Sequence, residues 1–189
     1  AMVRHRVGPI VWVSLRDLVP GAIGVPANIR RKFEEASLHA VRDALIAKAE
    51  TIRISRAFND IGVEPVCLKG WPLERQLTGS VGRRTLRDLD LLVNRDQMMA
   101  AIKVLDDLGY SSTDRKCLTS KRRLSFWLNL FKHVELVNSR TGFVVELHAR
   151  PFANPMLLPS SALQLEQFPL GTVGNEAGRL LVPDPVSNL

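Results

Sequence analysis

The amino-acid sequence predicts an α/β fold of the α+β kind: a small mixed β-sheet with helices packed on it. Three observations predict it. A long segment from residue 28 carries apolar residues at three- and four-residue steps, the period of a helix. Short apolar runs bounded by Gly and Pro alternate with it. Near residue 140 two alternating runs, "HVELVN" and "GFVVELHA", are joined by "SRTG", the signature of a β-hairpin.

In order along the chain, residues 1–27 contain "GPIVWVSLRDLVPGAIGVP", which reads as a short helix and then a loop. Asn28 is the expected N-cap of a helix running to about Asn59, with Leu38, Val41, Leu45, Ala49 and Ile52 as its apolar stripe. Gly62 closes that helix, and "VEPVCL" follows as a short buried strand. In "KGWPLERQL", Pro72 suits the first turn of a new helix, where its missing N–H costs nothing. "TGSVG" is a loop, and a strand runs from about Leu86 to Val93. "DQMMAAIKVLDDLG" is a helix stopped by Gly109, and a basic segment, "DRKCLTSKRR", leads into the hairpin region. Beyond Pro151 the chain is rich in Pro, Gly and Leu and predicts no clear element.

The bulk numbers narrow the function. Of 189 residues, 46% are hydrophobic, enough for one domain with a real core. No apolar run approaches the length of a membrane span, so no membrane partner is expected. Cys67 and Cys117 show no metal-ligand spacing, which points to a reducing, cytoplasmic setting and excludes a disulfide scaffold. A formal charge of +7 favours polyanionic partners such as nucleotides or RNA, although a basic, inert surface would give the same number.

The strand "RTLRDLDLLV" carries the chemistry. Leu89, Leu91, Leu92 and Val93 are apolar on both alternating faces, yet Asp88 and Asp90 project from one face, about 7 Å apart. Two such charges raise each other's pKa and call for a cation. Glu146, on the polar face of "VVELH" with His148 beside it, brings a third carboxylate if the two strands are neighbours. Three clustered carboxylates suit Mg²⁺ (or Mn²⁺), which takes oxygen ligands and leaves places for substrate phosphates. Lys69-Gly70, where a strand opens into a helix N-terminus, offers charge and backbone N–H groups to an anion. Arg84 and Arg87 flank the acids and suit phosphate oxygens or the carboxylates themselves. The bland readings are strand-end acids, an exposed lysine and a structural histidine. His5, His39 and His133 show no ligand spacing, Cys67 and Trp71 read as core, and the basic run Lys116, Lys121, Arg122 and Arg123 with Phe126 and Trp127 reads as a solvated loop entering a helix.

"VCLKGWPL", then R-x-x-x-D-L-D-L-L-V from Arg84 to Val93, then "VELH" resemble the poorly characterised nucleotidyltransferase family of the DNA polymerase β-like superfamily. The resemblance implies a nucleotidyltransferase fold in which Asp88 and Asp90 bind Mg²⁺ and Glu146 completes the metal triad. It further implies that Lys69-Gly70 stands where the superfamily has a glycine-serine turn. Thr78 and Ala149 depart from the family pattern, where an aromatic residue and a Trp are expected. The expected organisation is a flanking segment over 1–27, a nucleotidyltransferase domain over 28–150, and a C-terminal extension over 151–189 that reads as cut short. The expected activity moves an NMP from an NTP, ATP being the first choice, to an acceptor hydroxyl on a small molecule, RNA or protein. The rival is an inactive nucleotide- or RNA-binding module of the same fold, working within a larger complex.

Overall fold

The long amphipathic segment is a helix, but the face it buries is not the one its leucines mark. In the computed structural model, which describes residues 8–18, 24–83, 86, 88–112, 118–151, 170–173 and 180–184, helix α1 spans Gly8–Leu18 and helix α2 spans Ala27–Asn59. Leu38 and Leu45 are 72% and 54% exposed, and Val41 and Ala49 are exposed as well. The buried face is Phe33, Ala40, Ala44, Ala47, Thr51, Ile54, Ser55 and Phe58. Those positions also repeat at three- and four-residue steps, so periodicity alone could not choose between the two stripes. Tertiary packing chose: Ala47, Ile54 and Phe58 enter the main core, and Phe33 packs against α1. Trp12 of α1 stacks on Phe33 with ring centroids 6.0 Å apart, and Gly82 lies directly against the backbone of Val41. The N-cap is likewise Pro26 rather than Asn28. Its carbonyl accepts from Ile29 and Arg30 N–H, and its fixed φ already suits the helix entry.

Among the described residues seven strands form one mixed sheet: β1 Val66–Cys67, β2 Asp88–Leu92, β3 Tyr110–Ser112, β4 His133–Asn138, β5 Val144–His148, β6 Leu170–Val173 and β7 Leu180–Pro183. Their order is β3-β4-β5-β2-β1-β7-β6. The expected hairpin is present as β4 and β5, antiparallel, with the turn held by Asn138 Oδ1, which accepts from Arg140 and Thr141 N–H. The pairing that matters most is β2 with β5, parallel, with Asp90 opposite Glu146. Strand β7 pairs in parallel with β1, Val66 opposite Leu181. So the sheet continues into the C-terminal region, where the sequence pattern predicted no strand. Leu180, Val182 and Val173 are buried there, and β7 covers what would otherwise be an open edge of the two-residue β1.

The core gathers on one face of the sheet. Leu89, Leu91 and Val93 alternate toward it with Val145, Leu147, Val134 and Leu136 of the neighbouring strands. Helices α4 (Met98–Asp107) and α5 (Lys121–Leu130) bring Met98, Ala101, Ile102, Leu105, Leu124 and Leu128 to the same cluster. Each of these larger side chains contributes about 1.5–3 kcal/mol by leaving water. Cys67 is fully buried here and its thiol is pushed up to about 12 by that burial, which leaves it inert as a nucleophile. Trp71, at the start of helix α3 (Trp71–Thr78), donates its indole N–H to Thr51 Oγ1 at 3.0 Å, so it is a packing residue.

Candidate active site

The opposite face of the sheet is polar. Alternation sends Asp88 and Asp90 of β2, Glu146 and His148 of β5, and His133 and Glu135 of β4 to one side. Register then stacks them across strands: Asp90 opposite Glu146, Glu146 opposite Glu135, and His148 opposite His133. Asp88 is exposed at the strand entrance, and Asp90 is 2% exposed.

Asp90 is the hub. Its Oδ1 accepts from Lys69 Nζ at 3.0 Å and lies 3.0 Å from His148 Nε2. The same His148 nitrogen lies 3.2 Å from Glu146 Oε2, and His133 Nδ1 lies 3.9 Å from that oxygen. One buried imidazole therefore joins the two carboxylates that face each other across the strands. Burial alone would raise the Asp90 carboxyl; hydrogen bonds from His148 and Lys69, with the Lys69 charge, outweigh it and hold the group at about 2. The repulsion expected to raise the aspartates is overcome at Asp90 by this cationic lysine. Burial moves His133 the other way, below its usual value, and keeps its ring neutral at neutral pH.

This arrangement predicts an acid signature. The folded value of Asp90 lies below its unfolded value of 3.8, so its contribution is present above 3.8 and is lost as pH falls toward about 2. The difference is worth about 2 kcal/mol at neutral pH. Denaturant titrations across that acid range should show Asp90→Asn losing less stability than the parent. Parallel curves would mean that Lys69 and His148 do not hold the carboxylate.

Lys69 and Gly70 stand where the sequence placed them, at the turn from β1 into α3. Gly70 has φ 85 and ψ −153, a conformation open essentially to glycine alone, and a Cβ there would meet nothing closer than Pro72 Cδ at 3.8 Å. The turn thus requires glycine and leads into the N-terminus of α3. Lys69 itself is committed to Asp90, with its side chain 61% exposed. Arg84 and Arg87 lie outside the described residues.

Two contributors were not legible in the sequence. His133 was read as having no ligand partner, yet the hairpin pairs it with His148; closing "HVELVN" on "GFVVELHA" through "SRTG" would have revealed that register. Glu74 was read only as part of a helix. It is 5% exposed, and its carboxylate accepts from Gly82 N–H at 3.0 Å and Arg83 N–H at 2.6 Å. It thereby pins the loop that leads into β2. Two cavities, about 280 and 590 Å³, lie elsewhere, against Ser55 and Leu180 and between Ile102 and Leu136. On the polar face Asp90 and His148 are buried, Glu146 and His133 are partly buried, and Asp88 is exposed.

The family of uncharacterised nucleotidyltransferases matches residues 1–172. The chain belongs to that family. The resemblance carried by the Lys-Gly turn, the Asp-x-Asp strand and the Glu-x-His strand is therefore shown, and with it the mixed α/β nucleotidyltransferase fold. No curated protein and no solved structure matches the chain significantly. Nucleotidyl transfer is the general kind of activity that membership supports, with an NTP as the substrate it implies. Among the described residues, no helix of this nucleotidyltransferase-family chain is long and apolar enough to cross a membrane.

Proposed function

We propose that the chain transfers a nucleoside monophosphate from an NTP, with ATP the first choice, to an acceptor hydroxyl. The acceptor oxygen attacks the α-phosphorus, the bond to the oxygen bridging toward the β-phosphorus breaks, and pyrophosphate leaves with that electron pair. The acceptor proton passes to solvent. The observation that carries this reading is the register of β2 against β5, which sets Asp90 beside Glu146 with Asp88 on the same face. A divalent cation suits this donor set, because three carboxylates share one face and a lysine ammonium already stands 3.0 Å from the most buried of them. Mg²⁺ or Mn²⁺, held by Asp88, Asp90 and Glu146, would supply charge neutralisation for the triphosphate and a more acidic acceptor hydroxyl.

The chain's own part is positioning. The Lys69-Gly70 turn and the N-terminus of α3 would receive the β- and γ-phosphates, and Arg84 and Arg87 would add charge. His148, buried between Asp90 and Glu146, would keep both carboxylates aimed at one place. Incubation with α-labelled NTPs and Mg²⁺ or Mn²⁺ tests the reading: label should pass to a small-molecule, RNA or protein acceptor as pyrophosphate appears. Nucleotide that binds but never turns over would favour the binding-module alternative.

Lys69 gives a sharper test, because it stands between the two jobs. In Lys69→Ala, the affinity for a non-hydrolysable NTP should fall by about 1.5–3 kcal/mol, the worth of a charged hydrogen bond to phosphate. Without nucleotide, the divalent cation should bind more tightly, since its competitor at Asp90 is gone. Calorimetry of both ligands on parent and variant checks this. Unchanged nucleotide affinity would transfer the phosphate role to Arg84 or Arg87.

A further inference from the structure

We propose that His133, Glu146 and His148 form a mixed nitrogen–oxygen site for a first-row transition-metal dication. The inference deepens the proposed function by naming a second kind of metal that Glu146 would serve. One ligand atom from each of the three residues lies within 4.8 Å of the other two. Glu146 Oε2 stands 3.2 Å from His148 Nε2 and 3.9 Å from His133 Nδ1. Around an ion with bonds of about 2.0–2.2 Å, ligand atoms stand about 3.3 Å apart, so small side-chain rotations close the set.

Three features make this a built site rather than a chance cluster of acids. The antiparallel pairing of β4 and β5 places His133 opposite His148 on a rigid ladder, with ring centroids 5.1 Å apart. His133 Nδ1 is buried, makes no hydrogen bond and stands 3.9 Å from Glu146 Oε2, so this nitrogen is open to a ligand. Asp90 Oδ1, 3.0 Å from His148 Nε2, adds a carboxylate beside the ligand set, and binding the ion would release to solvent the Nε2 proton that this carboxylate accepts. Two imidazoles and a carboxylate are donors that suit Zn²⁺, Co²⁺ or Mn²⁺, whereas Mg²⁺ prefers oxygen alone. Asp88, farther along β2, completes the oxygen-only set and is outside this one.

The experiment uses the whole chain, free of any histidine tag and stripped of metal, and titrates Co²⁺ while following its visible absorption. One Co²⁺ should bind with the spectrum of nitrogen ligation, yield to Zn²⁺, and resist about a hundredfold excess of Mg²⁺. His133→Ala should weaken Co²⁺ binding at least about tenfold, the loss caused even by removing an outer partner of a metal site. Asp88→Asn should leave that binding unchanged. Paramagnetically shifted imidazole resonances in the Co²⁺-loaded parent count the histidine ligands without any substitution: two support the site, and fewer overturn it. Absent cobalt binding, or a spectrum that His133→Ala does not alter, overturns it as well. No nucleotide is present, so a chain that binds cobalt yet releases no pyrophosphate keeps this site and loses the proposed activity.

Discussion

Replacing Asp88 and Asp90 together by Asn should lower nucleotidyl transfer at least about a thousandfold, the scale seen when groups that stabilise transition-state charge are removed. Two carboxylates would become neutral amides on the face where Asp90 meets Glu146. The Mg²⁺-dependent rise in melting temperature should vanish with them; in the parent it is worth about 2.7 kcal/mol at a hundred times the dissociation constant. The variant should not gain stability from relieved repulsion. Asp90 is held by Lys69 and His148, so losing its charge should cost up to about 2 kcal/mol, or roughly 4–8 °C for a chain of this size. Melting curves with and without Mg²⁺, beside a pyrophosphate assay, check all three. A double variant that still responds to Mg²⁺ as the parent does would place the metal elsewhere.

Gly82→Ala should be the most damaging glycine-to-alanine change among the described loop glycines. Gly82 has φ 86, and a Cβ there would stand 2.7 Å from Val41 Cα and 3.0 Å from Val41 N. Those are helix backbone atoms and cannot turn aside. Left-handed strain adds about 1–2 kcal/mol and the overlap about 1–3, for a total of about 2–5 kcal/mol, or roughly 4–20 °C in melting temperature. The natural control is Gly79→Ala: φ there is 69, but nothing lies within 4 Å, so only the strain remains. Because the same loop is tied to Glu74 and feeds β2, Gly82→Ala should also reduce activity more than Gly79→Ala does. Melts of the two variants within a degree or two of each other would mean that the loop does not pack on α2.

The elements that were legible in the sequence are those whose signal is local. The hairpin announced itself through alternation and a turn, and the Gly70 turn through the glycine and proline around Trp71. The order of the three motifs was legible too, and the family that they resembled is the one that covers residues 1–172. What failed was the choice between two equally periodic stripes on α2, along with the N-cap and the strands β6 and β7, for which the pattern gave no signal. On α2 the leucine stripe and the alanine stripe have the same spacing. The second won because Ala47, Ile54 and Phe58 meet the main core and Phe33 stacks on Trp12 of α1, contacts that spacing alone does not announce.

By itself, then, the sequence determined which residues can carry chemistry: two aspartates on one strand face, a glutamate and a histidine on another, a lysine at a glycine turn. Side-chain alternation along a strand is local geometry, so those facts needed no partner. Only the tertiary structure decided which of them meet. The parallel register of β2 on β5 set Asp90 against Glu146, the hairpin brought His133 to His148, and the turn into α3 delivered Lys69 to Asp90. Residues far apart in the chain were drawn together by burying the apolar face of the same strands. Slipping that register by one residue would send the carboxylates into the core, so the hydrophobic face holds the polar one in place.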